Sequence, residues 1–181
     1  MGKLFVICGP SGAGLREIVG AVLESRDDIG NVVPVTARKM KAGEQNGVGF
    51  WFYDLEGWNA MKESGDLLEA TELAGNDYGT SRRLVKEALQ SGKHVLLMLE
   101  PERAAQVKRN MPEAFCLYVE PADPAQLRAR YAKTARNSYE LTARMELAAE
   151  QRAESGYCDM RIDTTDPAAA VREIRELIDQ L

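Results

Sequence analysis

Between Gly9 and Arg16 the chain reads Gly-Pro-Ser-Gly-Ala-Gly-Leu-Arg, and here residue types and spacing first point to chemistry. Two glycines separated by four residues are the frame of a phosphate-binding P-loop, whose pattern continues with lysine and then serine or threonine. Leu15 and Arg16 stand in those two places. Backbone N–H groups along Gly9, Ser11, Gly12, Ala13 and Gly14, backed by the start of a helix, make a nest that attracts an anion without any side chain. In the full pattern the lysine reaches the β and γ phosphates and the hydroxyl holds magnesium; leucine offers no charge and arginine no metal ligand. Arg16 is a poor substitute for the lysine, because one step along a helix turns a side chain by about 100°. The expectation is a phosphate site with a degenerate Walker A ending and no assigned metal ligand.

Such a loop has to be slung between a strand and a helix. Leu4 to Cys8 is a short apolar run that predicts a buried parallel strand, and Ile18, Val19, Val22 and Leu23 give residues 15–26 helical spacing. Val32 to Val35 is a second β-like stretch, with Pro34 placing it at an edge or at the strand's end. After a cationic, glycine-containing segment from Thr36 to Gly49, residues 55–61 suit a short helix and 67–73 a strand. The run Gly75-Asn76-Asp77-Tyr78-Gly79 reads as a turn. Thr80 or Ser81 can cap the next helix, which stops at Gly92. Apolar runs at 94–99 and 114–119 alternate with helical patterns at 101–110 and from Asp123. Asp166-Pro167 opens a last helix whose apolar face is Val171, Ile174, Leu177, Ile178 and Leu181. Alternation of this kind predicts an α/β class with a parallel sheet.

At 181 residues the chain suits one domain, and its net charge of −5 gives no global attraction to nucleic acid or anionic lipid. Neither class of partner is expected. Cys8, Cys116 and Cys158 are an odd number without metal-type spacing, so reduced, buried thiols in a cytoplasmic protein are expected. The N-terminal apolar run is too short for a membrane span or a signal peptide. Within the acidic chain, Arg128, Arg130, Lys133, Arg136 and Arg144 form a local basic segment, suited either to closing over phosphates or to being a solvated helix face. Asn137 with Glu140 forms a capping-box pattern inside it.

Taken together, the stretches 9–14, Thr36-Ala37-Arg38, Gly43 to Val48, Leu68-Glu69 and Gly75 to Ser81 resemble guanylate kinase in order and spacing, and the likeness extends over nearly the whole chain. The resemblance implies a P-loop NTPase-like parallel sheet core with an inserted nucleoside-monophosphate-binding lobe and a short lid. It divides the single domain 1–181 into a core of residues 1–32 and 81–181, a lid at about 128–144 and a GMP-binding lobe at 33–80.

The resemblance also implies roles. Arg38 and Tyr78 match residues that hold the GMP phosphate, and Glu69 and Thr80 match those that read the guanine edge; fork, carboxylate and hydroxyl suit those partners chemically. Lys41 stands where the family has a second arginine, keeping charge without the fork. Phe50 replaces a phosphate-bonding tyrosine, and Gly49 the aspartate before it. Met98-Leu99-Glu100 replaces Asp-Ile-Asp at a strand end near the metal site, and Lys133-Thr134-Ala135 replaces the lid's Arg-Gly-Thr. Arg144 is the one clear lid candidate, and no catalytic residue is otherwise assigned. Loss of one placed electrostatic group typically costs about 10²- to 10³-fold in rate, so the joint departures imply roughly 10⁴-fold or more.

Three functions are compatible with these residues. One is a pseudokinase or regulator that binds a guanine nucleotide or another phosphate ligand, with no resident cofactor. Another is an active phosphoryl transferase, ATP plus GMP to ADP plus GDP, using magnesium and a cation supplied from Arg16, Lys39 or the lid. The third is a protein-binding module with a protein partner, motivated by Pro34, a residue shared with non-catalytic guanylate kinase-like scaffold domains. Proline there either stiffens the hinge of the small lobe or simply ends a strand.

Overall fold

The computed structural model describes residues 2–30 and 32–181; Met1 and Asn31 lie outside the described residues. In chain order the elements are β1 (Leu4–Cys8), α1 (Leu15–Glu24), β2 (Ile29–Gly30), β3 (Val35–Thr36), β4 (Trp51–Phe52), α2 (Leu55–Glu63), β5 (Leu67–Leu73) and β6 (Asn76–Ser81). They continue with α3 (Arg82–Gln90), β7 (His94–Met98), α4 (Pro101–Asn110), β8 (Phe115–Glu120), α5 (Pro124–Ala132), α6 (Ser138–Glu154), a 3-10 turn (Ser155–Tyr157), β9 (Met160–Asp163) and α7 (Pro167–Gln180).

Five parallel strands in the order β2-β7-β1-β8-β9 form the main sheet, with β1 at its centre. A strand covered on both faces reads as an unbroken apolar run, and Leu4–Cys8 is buried at every position. Successive side chains point to opposite faces. Leu4, Val6 and Cys8 therefore join Val85 and Leu89 of α3 and Ala104 and Val107 of α4, while Phe5 and Ile7 join Ile18 and Val22 of α1 and Ile174 and Ile178 of α7. The α/β class with a parallel sheet core is thus present as the strand and helix alternation predicts.

Residues 35–81 build a second sheet in the order β4-β3-β6-β5. It packs Val35, Trp58 and Met61 into a core of its own. Two local expectations change here. The turn lies at Ala74 and Gly75, both with positive φ (51° and 74°), and β6 already begins at Asn76. Paired positive φ values are those of a type I′ hairpin turn, whose twist suits the flanking strands. The β-like stretch at 32–35 yields a strand only at Val35–Thr36; Pro34 lacks a donor, and its carbonyl accepts from Trp51 N at 2.9 Å. A strand at Ile29–Gly30, pairing with β7, has no counterpart among the sequence expectations.

Caps follow sequence where they were foreseen. Ser81 accepts from Leu84 N, Asn137 from Glu140 N, and Asp166 from Ala168 N with Pro167 next in line. The basic segment 128–144 comprises the end of α5, a turn and the start of α6. Leu127 and Tyr131 of α5 pack on Ala148 of α6. Among the described residues no helix is long and apolar enough to cross a membrane.

Candidate functional site

The loop after β1 is shaped by backbone crowding. Gly9 runs so close to β8 that an added Cβ would lie 2.1 Å from the Val119 carbonyl oxygen. Gly14 precedes α1 at φ 90°, a left-handed conformation that costs glycine little. No side chain caps α1, so the N–H groups of its first turn have no side-chain acceptor. Ser11 and Gly12 are exposed at the mouth of a cleft of about 820 Å³, a size suited to a small-molecule ligand.

The cleft wall is mixed in character. Leu15 is half-buried against the Phe5–Ile7 core, while Met98 and Leu147 are 43% and 52% exposed and line the cleft with it. Arg16, Arg103 and Arg144 also reach its lining. Arg144 bonds to the Glu140 carboxylate and donates to Thr134 Oγ1 at 3.0 Å, with its guanidinium 5.8 Å from the Tyr131 ring centroid. Arg136 pairs with the same carboxylate at 2.9 Å, so two of the five basic residues share Glu140 and the trio keeps one net positive charge; the Arg136 backbone N–H and side chain push the Glu140 pKa down to about 2. Arg130 donates to the Gly12 carbonyl at 2.9 Å, tying α5 to the glycine loop after β1.

On the second sheet, Arg38 makes a bidentate pair with Glu44 at 2.8 and 2.6 Å, and Lys41 N donates to the same carboxylate at 2.7 Å. The Arg38 fork, followed by the Lys41 N–H, holds the Glu44 carboxyl down at about 2. The Arg38 guanidinium also lies 5.2 and 5.0 Å from the Phe50 and Phe52 rings, and Phe50 meets Tyr78 at 5.6 Å between centroids. The Lys41 side chain is exposed.

Glu69 and Thr80 face each other across β5 and β6. Glu69 is 1% exposed and accepts from Thr80 Oγ1 at 2.6 Å and from Arg103 Nε and Nη2 at 2.6 and 2.9 Å. Burial of a carboxylate is tolerated only with such partners. Arg103 stands on the first turn of α4, so one side chain both grips Glu69 and lines the cleft at the phosphate loop.

A model of the guanylate kinase family matches residues 1–181. The chain belongs to the guanylate kinase family. A guanylate kinase of Enterococcus faecalis is 33% identical over 181 residues, covering 98% of this chain and 88% of that protein. One of Thermobifida fusca is 37% identical over 155 residues, covering 82% and 79%. The crystal structure of guanylate kinase from Anaplasma phagocytophilum agrees with a TM-score of 0.68 at 23% identity, covering 99% of this chain and 85% of that one, a likeness in fold.

Within this guanylate kinase fold, Arg38 and Tyr78 gather around Phe50, Glu69 and Thr80 form a second group, and Gly9 to Gly14 lie across the cleft from Arg144. Sequence reasoning missed Arg103 and Glu44, and it placed Arg130 in the basic segment without its bond to Gly12. Glu44 was quoted only as part of a motif, and an i, i+6 pair across a loop follows no helical or strand period. Arg103 lies 34 residues from Glu69 and carried no local signal at all.

Proposed function

We propose that this chain is a GMP-binding member of the guanylate kinase family whose phosphoryl transfer is strongly impaired, with Arg38, Lys41 and Tyr78 toward the nucleotide phosphate and Glu69 and Thr80 toward the guanine edge. In this reading residues 33–80 are the GMP lobe, 1–32 and 81–181 the core, and 128–144 the lid. The observation that carries it is the contrast in side chains: beside the phosphate loop stand Leu15, Met98 and Leu147, whereas the second sheet holds a guanidinium fork and a buried carboxylate already fixed by hydrogen bonds.

Magnesium fits the cleft poorly. Arg16 brings a cation to the position of the pattern's hydroxyl ligand, and a hard cation asks for oxygen donors, of which the exposed Glu100 is the nearest acid to the β7 end. The test is calorimetry on one sample with GMP and, separately, ATP with magnesium. GMP is expected to bind and ATP with magnesium to bind weakly or not at all; the reverse preference overturns the reading.

One observation favours a second reading, an active guanylate kinase. Arg16, Arg103 and Arg144 all reach the same cleft, and a guanidinium supplied from another element can stabilise a transferring phosphoryl group. Kinase names on the relatives point the same way. Measured turnover separates the two.

A further inference from the structure

Sequence spacing keeps the three cysteines far apart, and the fold brings them together. Cys8 ends β1 immediately before the phosphate loop, Cys116 lies on β8 beside it, and Cys158 follows the 3-10 turn that leads to β9. Their sulfurs are all within 4.8 Å of one another, with Cys116 and Cys158 3.0 Å apart and Cys8 and Cys158 3.7 Å apart. Cys8 and Cys116 are fully buried and Cys158 is half-buried.

Tyr157 Oη donates to the Pro101 carbonyl at 2.6 Å and turns its oxygen toward Cys8 Sγ at 3.7 Å. Tyr118 belongs to the same buried cluster, two residues along β8 from Cys116, and its hydroxyl is buried without a hydrogen-bond partner among the described residues.

We propose that Cys8, Cys116 and Cys158 form a binding site for one thiophilic d¹⁰ cation of the zinc class, held by three sulfurs with the fourth position open to solvent beside Cys158. Soft thiolate sets select such ions. A zinc–sulfur bond of about 2.3 Å in tetrahedral geometry sets neighbouring sulfurs about 3.8 Å apart. The Cys8–Cys158 pair already has that separation; Cys116 and Cys158 must part by under about 1 Å, and Cys8 and Cys116, within 4.8 Å, must settle at the same distance. Three thiolates and a divalent cation leave a single negative charge, far less costly to bury than separate thiolates. A Cys116–Cys158 disulfide is the competing fate; it needs closure to about 2.05 Å and leaves Cys8 unused. Coordination would fasten the entry of the phosphate loop to β8 and to the Tyr157–Pro101 contact at the start of α4.

The test is titration of the fully reduced, metal-free chain with cobalt(II), followed by displacement with zinc. The expected result is one equivalent bound, sulfur-to-cobalt charge-transfer absorption, proton release, and a rise in melting temperature with zinc. Cys158→Ser, at the half-buried position, is expected to keep the fold and weaken zinc by at least about 100-fold, and Cys116→Ala to abolish the absorption. Absence of the charge-transfer band in the native chain overturns the proposal, as does a Cys158→Ser variant that takes up cobalt or zinc as tightly as the native chain. Mass spectrometry showing a Cys116–Cys158 disulfide in place of cobalt uptake overturns it as well.

Discussion

The second sheet and the loop after β1 use the same residue type in different ways. On and against the second sheet, arginines are committed: Arg38 to Glu44, and Arg103, reaching from α4, to the buried Glu69. Around the phosphate loop, Arg16 is exposed and Arg144 shares Glu140 with Arg136, while hydrocarbon from Leu15, Met98 and Leu147 fills the wall. A guanidinium fixed by a bidentate partner loses little further freedom when an anion arrives, whereas the exposed Arg16 must be ordered at that moment. The difference teaches that the proposed acceptor side is built within the chain, and the proposed donor side is not.

The comparison is broken most forcefully through the residue the two sides share. Arg103→Ala strands a carboxylate that is fully buried and is expected to cost about 3 kcal/mol in urea unfolding, at the lower end for such pairs because Arg103 itself is 22% exposed. A loss below about 1 kcal/mol would mean that Glu69 is satisfied without it. Next in size, Glu69→Gln is expected to weaken GMP by about 10²-fold and AMP much less, read by calorimetry, since only guanine presents N–H donors to that carboxylate. Equal losses for the two bases would remove Glu69 from guanine recognition.

The donor side is sharpened by repair. Leu15→Lys with Arg16→Ser restores an ammonium and a hydroxyl on a loop whose Gly12 and Gly14 already take positive φ, so ATP with magnesium at about 100 times its dissociation constant should add roughly 2.7 kcal/mol in a thermal shift. No shift in the double variant would show that the loop is not a phosphate site. Met98 is exposed at the strand end, so Met98→Asp can be added without burying an acid.

The smallest effect concerns acid stability. Glu44, ordinarily near 4.5, is held at about 2 in the fold by Arg38 and the Lys41 N–H. A depressed carboxylate contributes stability that is fully present above about 4.5 and is lost as pH falls toward 2. Urea midpoints measured down that range should therefore fall less steeply in Glu44→Gln than in the native chain; identical slopes would show the pair to be idle.

Local chemistry was what the sequence made legible. The run Leu4 to Cys8, the glycine frame, Ser81, Asn137 and the Asp166-Pro167 start each act within a few residues, and each appears in the fold where pattern placed it. Partners brought together by the sheets were not legible. Cys8 meets Cys158 only because β1 and β9 both flank β8, and Arg103 meets Glu69 only because α4 packs on β5. The turn near Gly75 was misplaced because Asn, Asp and Gly favour turns locally, while ladder pairing with β5 and β3 holds Asn76 to Gly79 extended.

Steady-state turnover of the unmodified chain with ATP, magnesium and GMP tests the central claim most directly. The contrast between the two sides predicts a rate of roughly 10⁻⁴ to 10⁻² per second, about 10⁴-fold beneath the 1 to 100 per second usual for kinases, with GMP binding retained. Turnover within that usual range, abolished by Arg144→Ala or Arg16→Ala, would contradict it and establish that the cleft arginines do the work of the missing lysine.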